Sequence, residues 1–166
     1  MAIGLFQDFI FGAFASVGFA VMANVPAKAL PYCGFIAGIG HAVCYVLMHK
    51  GIGIICGSFA AALAVGMLAV LLSRRSRCPA ESLSFPSLLP MIPGMYAYRA
   101  VHAMVGCLSS EAESQFDHNL YLLHYNSMVT FFVIFLMVVG VTLPLFAMKK
   151  MSFEATRNKR HGIKTD

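Results

Sequence analysis

The sequence predicts an all-α integral membrane protein of five transmembrane helices, with the N-terminus outside, the C-terminus cytoplasmic and the fourth helix interrupted by proline. Three observations carry this expectation. Of 166 residues, 59% are hydrophobic and 11% charged, and the mean hydropathy is +0.76. A water-soluble domain carries about 25% charged residues, so too little polar surface is present to cover a globule in water. The apolar residues fall in continuous runs of about 20, the length a helix needs to cross the hydrocarbon core, rather than in the alternating segments of about ten that build an outer-membrane barrel. The basic residues gather at the ends of alternate runs, as the positive-inside rule requires. The same composition excludes a disordered chain and a disulfide-stapled secreted scaffold.

Taken in order, the first span covers residues 4–25, holds Asp8 near its start and closes on Asn24 and Pro26. The second covers 31–48 and the third 52–72. The fourth, 86–108, is less regular. The fifth covers 127–148, with Tyr121 and Tyr125 just before it at an interfacial aromatic position. Connections are expected at 26–30, 49–51, 73–85 and 109–126. Residues 1–148 thus form a transmembrane domain and 149–166 a basic cytoplasmic tail. Five spans place the first and third connections and the tail on one side, which then holds every Lys and Arg except Lys50 and Arg99. The opposite side holds Lys50 with Glu111, Glu113 and Asp117. Four spans would separate Arg74, Arg75 and Arg77 from the basic tail. The N-terminus does not read as a signal peptide, lacking a positive n-region and carrying Asp8 early.

The first three spans carry small residues four apart: Gly12, Ser16 and Ala20; Gly34 and Gly38; Gly53, Gly57 and Ala61. Such stripes let helix backbones approach closely in lipid. The five cysteines are scattered singly, without a CxxC pair, and read as small packing residues rather than metal ligands or a disulfide framework.

The fourth segment is the chemically informative one. Pro86, Pro90 and Pro93 each lack an N–H, which argues against a continuous helix, and a helix restarting at Pro93 is natural. Its N-terminal N–H groups and positive dipole end, at Pro93 and Gly94, would suit an anionic group. Arg99 lies about 9 Å further along that helix. A charge there costs about 2.5–3.5 kcal/mol on insertion scales, so it should face protein or a watery cavity. Tyr96, Arg99 and His102 follow at i, i+3 and i+6, and Tyr98 and His102 are i, i+4 neighbours. One reading is a carboxylate site, with Arg99 holding the anion, Tyr96 and Tyr98 orienting it and His102 carrying a proton. The alternative is that Arg99 bonds carbonyls or pairs with Asp8. Asp8 and His41 are further proton-coupling candidates, each with an alternative as an interfacial or packed residue. Asn24, Lys28, Arg77, Pro79 and Glu81 are candidates for a cytoplasmic gate, with topology, capping and interface anchoring as the alternatives. There is no HExxH, GxSxG, P-loop or paired carboxylates on one helix face, so the chain is not expected to be an enzyme, and no cofactor or metal is expected. A basic–aromatic pattern suited to nucleic acid is also missing.

Two stretches carry a resemblance. ANVPAKALPYCGFIAGIGHAV is similar to the first hairpin of the short, C-terminal-type half of the threonine/serine exporter family. RCPAESLSFPSLLPMIPGMYAYRA resembles that family's following signature, an Arg-x-Pro loop, a Pro-rich entry, a Pro-Gly pair and a tyrosine. The motif positions are Asn24, Pro26, Gly34, Gly38, Arg77, Pro79, Pro93, Gly94 and Tyr98. The resemblance implies a ten-span core, made by one chain or by two proteins. In the split form a longer subunit carries a soluble N-terminal region and five spans, and the short subunit supplies the other five. The expectation is therefore a half-subunit of a secondary transporter in a bacterial inner membrane, exporting threonine and serine or a C4-dicarboxylate such as succinate. Its expected partners are a five-span subunit of the same family, the lipid bilayer, a small carboxylate and other copies of itself. The alternatives are a non-transporting subunit that stabilises or regulates a transporter, and a homo-oligomeric channel.

Overall fold

A computed structural model describes residues 2–148. Among these residues there are helices and no strand. Helix α1 is Ala2–Met22, and a 3-10 turn, Ala27–Ala29, leads into α2, Leu30–His49. Then come α3, Ile54–Ser76, and a short α4, Ala80–Leu88, which runs into a 3-10 turn at Leu89–Met91. Helix α5 is Gly94–Leu108 and α6 is Glu113–Ala147. The chain divides into two units, one formed by residues up to 91 with those from 137 on, the other by residues 92–136.

Among the described residues four helical stretches are long and apolar enough to cross a membrane: Ile3–Met22, Ala27–His49, Ile54–Ser76 and Glu113–Ala147. The chain is a multi-pass membrane protein. The expected span at 86–108 is instead divided between the end of α4, the 3-10 turn and α5. The 15 residues of α5 extend about 22 Å, short of the ~30 Å hydrocarbon core. The expected basic tail, 149–166, lies outside the described residues.

Three boundaries differ from the sequence expectation. The connection expected at 109–126 is helical from Glu113, because 113–126 contains no Gly or Pro to stop a helix and Glu113 stands in the first turn, where an acid complements the dipole. Helix α3 runs on to Ser76, with Arg74 and Arg75 in its last turn, where cations complement the other end of the dipole. Helix α4 also continues through Pro86, which costs it one bond, the one that residue 86 would donate back to the Ser82 carbonyl. Two helices close on left-handed residues. Asn24 (φ 55°) follows α1 and Arg77 (φ 55°) caps α3, and in each case the next amide reaches back five residues, Val25 to Ala20 and Cys78 to Ser73.

In the first unit α1 packs on α2 and α2 on α3, while α4 lies against all three. Ala20, Cys33, Ile36, Val65, Ala69, Val70 and Leu83 form the centre of its core. Glycines allow the close approach: a Cβ at Gly38 would enter the Phe9 ring, and one at Gly66 would stand 2.8 Å from the Val141 carbonyl oxygen. Gly53 is different from the other stripe residues, since it precedes α3 and faces open space. Buried hydroxyls tie three helices to one carbonyl. Ser16 donates to the Cys33 carbonyl at 3.1 Å, and Ser87 lies 3.0 Å from the same oxygen and 2.7 Å from the Leu83 carbonyl. Cys33 and Cys78 are buried and Cys56 is exposed, all as free thiols.

In the second unit α5 meets the first half of α6. Gly106 gives the Asn119 amide its place, and Asn119 donates to the Ser110 hydroxyl at 3.2 Å, closing the connection between the helices. Tyr121 and Tyr125 stack at 6.3 Å on the exposed face of α6.

Candidate functional site

Each unit holds one cavity lined by groups that can do chemistry. In the second unit a cavity of about 290 Å³ is lined from α5 by Tyr98, Arg99, His102 and Ala103, and from α6 by His118, Asn119, Leu122 and Asn126. Arg99 and His102 face it at i and i+3, and Tyr98 at i−4 from His102, with the Tyr98 and His102 rings 6.2 Å apart. Arg99 makes no ion pair among the described residues, and no carboxylate lines the cavity. A guanidinium, two imidazoles, two amides and a phenol thus converge without a competing acid. Such a set can hold a carboxylate through charge-assisted hydrogen bonds.

Tyr96, Pro93 and Gly94 do not line this cavity. Pro93 is buried just before α5, and Gly94 is its exposed first residue. The start of α5 offers an anion less than its sequence suggests. The Gly94 N–H donates to the Ile92 carbonyl (2.7 Å), and the Tyr96 and Ala97 N–H groups donate to the Pro93 carbonyl (3.1 and 3.2 Å).

In the first unit a cavity of about 330 Å³ is lined by Asp8, His41, Cys44, Tyr45, His49 and Ser58, with Met48, Ile54, Pro90 and Met91. Asp8, weighed above as a partner for Arg99, is paired with His41: its Oδ2 lies 3.7 Å from His41 Nδ1. The His41 side chain is 17% exposed and that of Asp8 43%. His41 Nε2 is buried without a hydrogen-bond partner among the described residues.

The gate candidates stand at helix ends of the first unit. Asn24 and Lys28 are exposed between α1 and α2. Arg77 caps α3, Pro79 caps α4 and Glu81 stands in the first turn of α4. Of these candidates only Asn24 and Arg77 adopt a left-handed backbone.

Reading the sequence missed Asn119, Asn126 and Ser58 as lining residues, and passed over His118, Tyr45 and His49. Asn119 and Asn126 are seven apart and so share a face of α6, a signal hidden by expecting a loop there. Tyr45 and His49 continue the four-residue spacing that begins at His41, which was legible in the sequence.

The chain matches the family described as threonine/serine exporter, ThrE, over residues 8–147. An uncharacterized protein of Haemophilus influenzae is 40% identical over 101 residues, which are 61% of this chain and 34% of that relative. The chain thus spans about a third of the length of that relative. No solved structure matches.

Proposed function

The chain belongs to the threonine/serine exporter family, and from that premise we propose that it is a half-subunit of a secondary transporter that exports small carboxylates across a bacterial inner membrane. The observation that carries the substrate class is the Arg99 cavity, where a cation and several hydrogen-bond donors meet without an acid. Threonine and serine, or a C4-dicarboxylate such as succinate, each present a carboxylate to Arg99. Tyr98 orients the bound group, and His102 stands beside it as a proton carrier. Tyr96, Pro93 and Gly94 complete the entry along α5.

In this reading the segment from α4 to α5 is the fourth of five crossings, made of pieces rather than one helix, with the N-terminus outside and the C-terminus cytoplasmic. Broken helices at membrane depth are tolerated where they line a cavity, which is the place of α5 here. A second five-span subunit with a soluble N-terminal region supplies the other half. The two-half architecture of the family supports this, as does the small share of the Haemophilus relative that the matched stretch occupies. Asn24, Lys28, Arg77, Pro79 and Glu81 cluster at helix ends and form the cytoplasmic gate.

The test is threonine and succinate efflux from vesicles holding this chain alone, its partner alone, or both. Efflux only with both chains, lost in Arg99→Gln at unchanged membrane levels, supports the assignment. Full efflux with the partner alone makes this chain a non-transporting subunit, and efflux with this chain alone makes it a homo-oligomer.

A further inference from the structure

Two ladders of four-residue spacing face each other between α1 and α2. Gly4, Asp8 and Gly12 stand on α1, and His41, Tyr45 and His49 on α2, each trio along one helix face. The rungs interlock. A Cβ at Gly12 would run into the His41 ring, one at Gly4 would meet the Tyr45 hydroxyl, and Asp8 between them meets His41. Glycine inside a helix is less favourable than alanine, so helix formation does not explain these two. They serve as seats that let the His41 ring and the Tyr45 hydroxyl come against the α1 backbone.

The Asp8–His41 separation of 3.7 Å is that of an ion pair, beyond the length of an N–H···O hydrogen bond. The pair is therefore in contact without being locked. Among the described residues Asp8 is the only carboxylate lining the adjoining cavity. The other titratable groups there are Cys44, Tyr45 and His49 of α2, while α3 contributes Ser58 and the turn after α4 contributes Met91. The Tyr45 and His49 rings lie tilted at 31° with centroids 3.9 Å apart, and His49 is exposed in the last turn of α2. Polar groups thus run in one line from the pair to the end of the helix.

We propose that Asp8 and His41 form a single proton-carrying site that couples transport to a proton gradient, reached from the end of α2 along His49 and Tyr45. With the proton bound, the Asp8 carboxylate faces an imidazolium and the pair is neutral. When the proton leaves His41, the Asp8 carboxylate loses its counter-charge while it stays against the α1–α2 seam. Loss of one proton therefore biases the α1–α2 seam toward a different packing. The unpartnered His41 Nε2 is the atom that takes up and releases the proton, while Nδ1 keeps facing Asp8. The proposal rests on the exporter reading only for what the proton drives.

Two measurements test it, and the first needs no substrate. In the full chain with ring-labelled histidine in lipid nanodiscs, the His41 signal is the one missing from His41→Gln. It is expected to titrate, with a midpoint that moves between the wild type and Asp8→Asn. A His41 signal that does not titrate, or that is indifferent to Asp8→Asn, overturns the pair. The second uses vesicles holding the chain and its partner, with threonine as the probe. Asp8→Asn and His41→Gln should abolish efflux driven by a pH gradient while preserving threonine counterflow at equal pH, and Asp8→Glu should keep the gradient response. Retained gradient response in both disrupting variants, or equal loss of both activities, overturns coupling at this site. If the wild type moves no threonine, the exporter reading fails and the histidine titration alone decides the pair.

Discussion

The α1–α2 seam and the α5–α6 cavity enclose similar volumes, about 330 and 290 Å³, and are built in opposite ways. In the seam the one carboxylate is paired, the histidine is mostly covered, and glycines seat the side chains against a neighbouring backbone. In the α5–α6 cavity the charge is a cation with no ion-pair partner among the described residues, and Tyr98, Arg99, His102 and His118 are exposed. The first arrangement couples chemistry to helix packing, so a change in charge is felt as a change in fit. The second leaves its charge free for a ligand, so a substitution there removes chemistry and little structure.

The sharpest way to break this comparison is at Arg99. Arg99→Gln is expected to lower export by about 100-fold, the loss of a charge-assisted carboxylate contact of about 3 kcal/mol. The thermal stability of the protein in detergent should stay within about 0.5 kcal/mol, as for other exposed positions. A variant that fails to reach the membrane would show Arg99 to be structural. Gly12→Val probes the other region. The added side chain meets the His41 ring, and overpacking of this kind costs about 1–3 kcal/mol, read as a lower melting temperature. Unchanged stability would mean that the seam is loose and that Gly12 is no seat.

Smaller effects separate scaffold from site. Ser87→Ala removes the hydroxyl shared by the Cys33 and Leu83 carbonyls and should cost about 1 kcal/mol without changing which substrates are exported. A shift in substrate preference would instead connect α4 to the transport path. Arg77→Gly is expected to stabilise by a few tenths of a kcal/mol to about 1 kcal/mol, since arginine is held there in a left-handed conformation that glycine adopts freely. If export falls while stability rises, the Arg77 side chain acts at the gate; if both rise or hold, its place is one of topology alone.

Much of the fold was legible because the membrane constrains sequence so strongly. The apolar runs found α1, α2 and α3 within a few residues, and the four-residue glycine spacing on α1 and α2 marked faces that do pack closely. Gly53 shows the limit of that pattern, since spacing alone cannot tell a packing glycine from one that precedes a helix. The stretch 109–126 reads as a connection because it is polar, yet polarity without Gly or Pro does not stop a helix. The candidate site was half legible: Arg99, Tyr98 and His102 belong to one helix, and their spacing is visible in the chain. Their partners Asn119 and Asn126 come from α6 and were not.

What the sequence determined by itself is what depends on local composition: an all-helical chain built to lie in a membrane, and motifs that place it in its family. Only the tertiary structure decided which polar groups meet. Asp8 could have answered Arg99 or His41, and both were within reach of any argument from spacing. The register of α1 on α2, set where glycines let two helix backbones close, brought His41 to it. Periodicity along one helix specifies a face, and the packing of small residues against a second helix specifies what that face meets.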